Sequence, residues 1–104
     1  MIRLYSENKL HNHTGLSRNT VSEITGTHNP EQVVLVSGHM DSWDVGQGAM
    51  DDGGGMFISW RALSVVRRLN LKPKRTIRSV LWTGEELGLV GAASYVKVII
   101  DYFL

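Results

Sequence analysis

Five carboxylates and one imidazole occupy three short stretches of this chain. Gly38-His39-Met40-Asp41-Ser42-Trp43 holds the histidine and the first acid, Asp51-Asp52 the next two, and Glu85-Glu86 the last pair. No Lys or Arg is interleaved within these stretches. If the fold draws them together, their like charges repel and favour protonation unless a cation holds them. A divalent metal is the economical cation, and nitrogen and oxygen donors without sulfur suit zinc, manganese or cobalt. His39 can offer a neutral ring nitrogen to the ion while nearby Asp41 accepts a hydrogen bond from the other nitrogen and fixes the tautomer. Asp51 carries two oxygens able to bridge a pair of ions. Adjacent Glu85 and Glu86 diverge in regular backbone, so one can bind metal while the other takes a proton from the activated water. The residues alone leave open which glutamate does which.

Taken singly, each feature has a structural explanation. A histidine closing a strand is commonly a satisfied turn residue. Asp-Asp ahead of a helix is often an N-cap worth about 1 kcal/mol, and Glu-Glu at a helix start compensates the helix dipole. The metal reading rests on joint placement, and placement depends on the elements between them.

Val33-Val34-Leu35-Val36 is an uninterrupted apolar run ending at Ser37-Gly38, which predicts a strand covered on both faces, as in a parallel sheet. After the glycine-rich stretch, Ile58, Ala62, Val65 and Leu69 recur at helical spacing, so this stripe is expected inward and Arg61, Arg67 and Arg68 outward. Asn70 and Pro73 end that helix. Thr76–Thr83 reads as a second strand closed by Gly84, and Glu85–Tyr102 as a second helix with Leu89, Val90, Ala93, Tyr95, Val96 and Ile99 as its apolar positions. Strand–helix–strand crossovers place the two strands parallel. Their C-terminal ends then share one rim of the sheet, where ligands of open α/β sheets bind. Gly38–Asp52 and Thr83–Leu87 both fall there.

The expected architecture is α/β: a three-layer sandwich whose mostly parallel sheet is flanked by helices. Residues 1–104 form a single partial domain, of which 1–19 are loosely patterned. Ile2–Tyr5 could add a short strand, and Thr20–Thr27 alternates as a further one.

Composition narrows the function classes. Lys and Arg number 11 against 10 Asp and Glu, a net charge of +1, which gives no global field for a nucleic-acid backbone. There are no cysteines, which excludes disulfide scaffolds, thiolate metal sites and cysteine nucleophiles. No apolar run reaches membrane-spanning length, and the first ten residues lack the pattern of a signal peptide. Gly46-x-Gly48 is followed by Asp51 where a dinucleotide fingerprint needs glycine, and an acid there repels a pyrophosphate. Lys72-Pro73-Lys74-Arg75 reads as a solvated connection. Trp60 and Trp82 are expected in the core, with Trp43 divided between core and substrate pocket. His11, His13 and His28 lie in polar surroundings and are left out of the metal site. Asn12-His13-Thr14 fits a glycosylation acceptor.

Two blocks, SGHMDSWDVGQGAMDDGGGMFISW and LKPKRTIRSVLWTGEELGLVGA, resemble the carboxypeptidase Q-like family of co-catalytic zinc exopeptidases. The likeness is dense from about Thr20 to Ala93. It implies a secreted or lysosomal enzyme that hydrolyses small peptides with two zinc ions. Carried over by position, His39 would hold one zinc, Glu86 the other, and Asp51 both. Glu85 would be the general base and Asp41 the support of the histidine. The family's remaining ligands, an aspartate and a histidine, lie well beyond the glutamate pair. Here only Asp101 follows as an acid, and no histidine follows His39. Gly84 stands where alanine is expected. These departures imply a catalytic-domain fragment that alone binds metal weakly and turns over no substrate. The complete protein would act on small peptides, could form a homodimer, and would contact neither nucleic acid nor membrane. The competing reading is a non-enzymatic remnant of the fold serving as a structural or binding piece.

Overall fold

The computed structural model describes residues 1–7, 9 and 13–103. The glycosylation acceptor Asn12, and His11, lie outside the described residues. Five elements follow in chain order: β1 (Thr20–Ile24), β2 (Asn29–His39), α1 (Gly53–Arg68), β3 (Arg75–Trp82) and α2 (Val90–Phe103). The sheet order is β1-β3-β2. β2 runs parallel to β3, with His39 opposite Trp82, and β1 pairs antiparallel on the other side, with Val21 opposite Val80. The parallel pair brings the ends of β2 and β3 to one rim, where the Met40 N–H donates to the Trp82 carbonyl at 2.8 Å.

Alternation along β3 assigns the two helices to opposite faces of the sheet. On one face, α1 lies so close that a Cβ on Gly38 would meet the Met56 backbone nitrogen at 2.5 Å. On the other, Arg78 donates from Nη1 to the Tyr95 hydroxyl at 2.6 Å, and the Tyr95 ring stands edge-on to Trp82 at 5.3 Å. Arg78 also pairs with Glu23 of β1 at 2.9 Å, so one guanidinium ties both neighbours to the central strand. The core is thin: among the described residues only Leu63 and Val80 are buried hydrophobics, alongside Ser59, Thr76 and Ser79. No helix among them is long and apolar enough to cross a membrane.

Several expectations are corrected. Among the described residues β2 lies at an edge of the sheet, and Val33, Val34 and Leu35 stay 41, 47 and 44% exposed, so the strand is not covered on both faces. α1 buries Ser59 and Leu63, with Met56 and Val66 half-buried beside them, whereas Ile58, Val65 and Leu69 are exposed. The helix carries two stripes, and the one with the small Ser59 lets its backbone approach the sheet; Arg61 is consequently half-buried, while Arg67 and Arg68 face water. Gly53–Gly55, the end of the glycine-rich stretch, form the first turn of α1. α2 begins at Val90, not Glu85, because Gly88 and Leu89 adopt φ of 106° and 60°, outside helical space. Trp60 is half exposed beside the edge strand β1, touching Phe57, while Trp82 is half-buried and Trp43 exposed. Ile2–Tyr5 form no strand.

Candidate metal centre

His39 closes β2, and its backbone N–H donates to Asp52 Oδ2 at 3.0 Å. The other Asp52 oxygen accepts the Gly55 N–H at 2.9 Å, capping α1. One carboxylate therefore couples the strand end to the helix start. Asp51 stands at the rim directly before it, and the peptide between the two aspartates is cis. The His39 ring is well enclosed, with 10% of its side chain exposed against 77% for Asp51.

The two ring nitrogens have separate partners. Nδ1 donates to the Asp41 backbone carbonyl at 2.9 Å, and the Asp41 carboxylate lies further away, at 3.6 Å. Nε2 faces Asp51 Oδ1 at 3.0 Å and Glu85 Oε2 at 3.7 Å. A contact as short as that to Asp51 needs a proton between nitrogen and oxygen, since otherwise two lone pairs would face each other. Burial opposes the charged ring, but the Asp41 carbonyl, the Asp51 carboxylate and the charges of Glu85 and Asp52 outweigh it and raise the His39 pKa.

The glutamate pair sits in the turn between β3 and α2. Gly84, at φ 61°, starts this turn in the left-handed region that favours glycine, which accounts for glycine here instead of alanine. The Leu89 N–H donates to the Glu85 carbonyl at 2.8 Å and the Val90 N–H to the Gly84 carbonyl at 3.0 Å. Asn19, from the loosely patterned segment, stitches the turn to α2: its side chain donates to the Gly91 carbonyl at 2.8 Å and accepts from the Thr83 N–H at 3.1 Å. Because this backbone is irregular, the two glutamates do not simply diverge. Glu85 reaches Nε2, and one oxygen of Glu86 joins His39 and Asp51 in a group whose ligand atoms lie within 4.8 Å of one another. Partial desolvation, then the charge of Asp51, raises the Glu86 pKa.

Asp41 occupies the gap between imidazole and turn. Its Oδ1 accepts the Glu85 N–H at 3.0 Å and its Oδ2 the Glu86 N–H at 3.1 Å. Burial resists its ionisation, yet these two amides prevail and lower its pKa. Of the residues singled out by sequence, His39, Asp51, Glu85 and Glu86 thus meet at one point, with Asp41 behind them. Asp52 and Asn19 were not assigned these ties, since side-chain bonds to distant amides leave no periodic mark. The donor set fits a divalent ion: one neutral nitrogen, freed of its proton, and carboxylate oxygens converge from two loops.

A sequence profile of Peptidase family M28 matches residues 19–101. Carboxypeptidase Q of Xenopus laevis is 70% identical over 82 residues, covering 79% of this chain and 18% of that protein. Carboxypeptidase Q of Homo sapiens is 71% identical over 82 residues, covering 79% and 17%. Among solved structures, a peptidase M28 precursor from Shewanella amazonensis aligns with a TM-score of 0.76 and 43% identity, over 80% of this chain and 19% of the other. The chain thus spans less than one fifth of the length of these relatives.

Proposed function

The chain belongs to Peptidase family M28, and on that premise we propose that it carries the metal-binding and proton-transferring half of a zinc exopeptidase site acting on small peptides. The observation that supports this most is the meeting of His39, Asp51 and Glu86 donors within 4.8 Å, with Glu85 Oε2 at 3.7 Å from the same Nε2. In this reading His39 would hold one of two zinc ions, Glu86 the other, and Asp51 both. Bound zinc supplies Lewis acidity toward the peptide carbonyl and acidifies water.

The chain's own residues do the rest. Asp41, through its carbonyl, keeps the proton of His39 on Nδ1, so that Nε2 presents a lone pair to the rim. Glu85 Oε2 lies in the same space. It accepts the proton of the attacking water and returns it to the leaving amine. The likeness to carboxypeptidase Q extends the proposal to carboxypeptidase or dipeptidase specificity, a secreted or lysosomal location and a homodimeric complete protein.

Calorimetric titration of the chain with zinc tests the site. Binding that weakens at least about tenfold in Glu86→Ala, the effect of losing a metal ligand or its support, is the expected result. Binding unchanged by that substitution would refute the assignment. Assays of the complete protein on dipeptides, with and without a chelator, then test the reaction, with Glu85→Gln expected to abolish hydrolysis while zinc stays bound.

A further inference from the structure

We propose that Asp41 is a positioning residue for the glutamate pair, acting through the backbone of the turn rather than through the histidine ring. The proposal deepens the metal reading above and rests on it for its functional meaning. Consecutive amides of an extended chain point to opposite sides. Here the N–H groups of Glu85 and Glu86 both point at one carboxylate, at 3.0 and 3.1 Å, forming a concavity for an anion. That backbone is what lets neighbouring glutamates serve one imidazole: Glu85 approaches Nε2 at 3.7 Å while Glu86 joins the His39–Asp51 group. In an extended chain the same two side chains would part.

The ring has a different anchor. Nδ1 is hydrogen-bonded to the Asp41 carbonyl at 2.9 Å, whereas the carboxylate lies 3.6 Å from it. Replacing the Asp41 side chain therefore leaves the ring's acceptor in place and removes the acceptors of the turn. Asp41→Asn is the informative change, because an amide retains one oxygen and turns an NH2 donor toward a second N–H donor. The sequence separations of 44 and 45 residues make this link tertiary, so it joins the end of β2 to the end of β3 at the site itself.

Amide hydrogen exchange on the zinc-free, isotope-labelled chain tests the idea. In the wild type, the Glu85 and Glu86 amides should exchange more slowly than an unprotected turn amide, by at least about tenfold. Asp41→Asn should remove most of that protection, leave the ladder amides of β2 and β3 unchanged, and leave the ring nitrogen shifts of His39 as they are in the wild type. Zinc affinity should fall about tenfold with it. The proposal is overturned if the wild-type Glu85 and Glu86 amides are unprotected, a result that needs no variant to fold. It is equally overturned if Asp41→Asn shifts the His39 ring signals and spares both amides. Because exchange is read without metal, a wild-type chain that fails to bind zinc would count against the metal site and not against this assignment.

Discussion

The carboxylate of Asp52 offers the sharpest test of how the rim is held. It accepts the Gly55 N–H at 2.9 Å and the His39 N–H at 3.0 Å, and so serves α1 and β2 together. Asp52→Ala removes an N-cap, a loss of about 1 kcal/mol. It also leaves the half-buried His39 amide without an acceptor, which costs a further ~1 kcal/mol. The combined effect of about 2 kcal/mol is large for a chain of this size, whose whole stability is of order 5–15 kcal/mol. With Leu63 and Val80 its only buried hydrophobics among the described residues, this chain belongs at the low end. Asp52→Asn should fall between wild type and alanine, since one carbonyl oxygen still caps Gly55 while the amide group meets the His39 N–H donor to donor. Urea unfolding followed by far-UV circular dichroism measures the differences, with the denaturant slope expected to stay constant. If Asp52→Ala unfolds within about 0.5 kcal/mol of wild type, the range of an ordinary surface substitution, the carboxylate does not couple strand and helix.

Two pH dependences follow from the same geometry. Zinc must displace the proton on His39 Nε2, so below the raised pKa of this ring the apparent affinity should weaken about tenfold for each pH unit of acidification. Calorimetry in buffers of different ionisation enthalpy should register proton release, and affinity independent of pH would refute the competition. For the zinc-free chain, His39, raised above 6.5, contributes stability that is full below 6.5 and lost as pH rises through its folded value. Asp41, lowered beneath 3.8, contributes stability that is full above 3.8 and lost as pH falls through its folded value. Urea midpoints should therefore decline at both ends of a pH series, and Asp41→Asn should flatten the acid limb only.

The rim was legible because its signals are coarse. Val33–Val36 and Thr76–Thr83 are β-rich runs flanking a helical segment, and that order alone brings His39, Asp51 and the glutamates to one edge. What hydrophobicity could not show is which surface each element buries. Ile58, Val65 and Leu69 form the more apolar stripe of α1, but close packing on the sheet favours the face with Ser59 and the glycines, where backbone meets backbone. Asn29–Gln32 are polar, and they extend β2 past its apolar run, with an irregularity in register between Asn29 and Val33. The start of α2 depends on left-handed residues at Gly88 and Leu89, and a β-period or helix-period count does not register dihedral angles. Asp52 carried a local signal, its position ahead of a helix, which identifies the cap and misses the strand amide it also holds.

The five acids of the rim are not equivalent, and their division answers the crowding that first pointed to a cation. Asp41 and Asp52 are each satisfied by two backbone N–H groups, so peptide dipoles meet their carboxylates. Asp51, Glu85 and Glu86 instead face the single imidazole, and it is these three whose repulsion needs positive charge. A proton at Nε2 supplies one unit, and desolvation, then the charge of Asp51, raises the Glu86 pKa. A divalent ion supplies two units at once and takes the lone pair that the proton held. The same arrangement that raises His39 and Glu86 is therefore the one that favours a metal over protons as pH rises. The amide-bound pair, Asp41 and Asp52, keeps the facing three in place whichever cation is present.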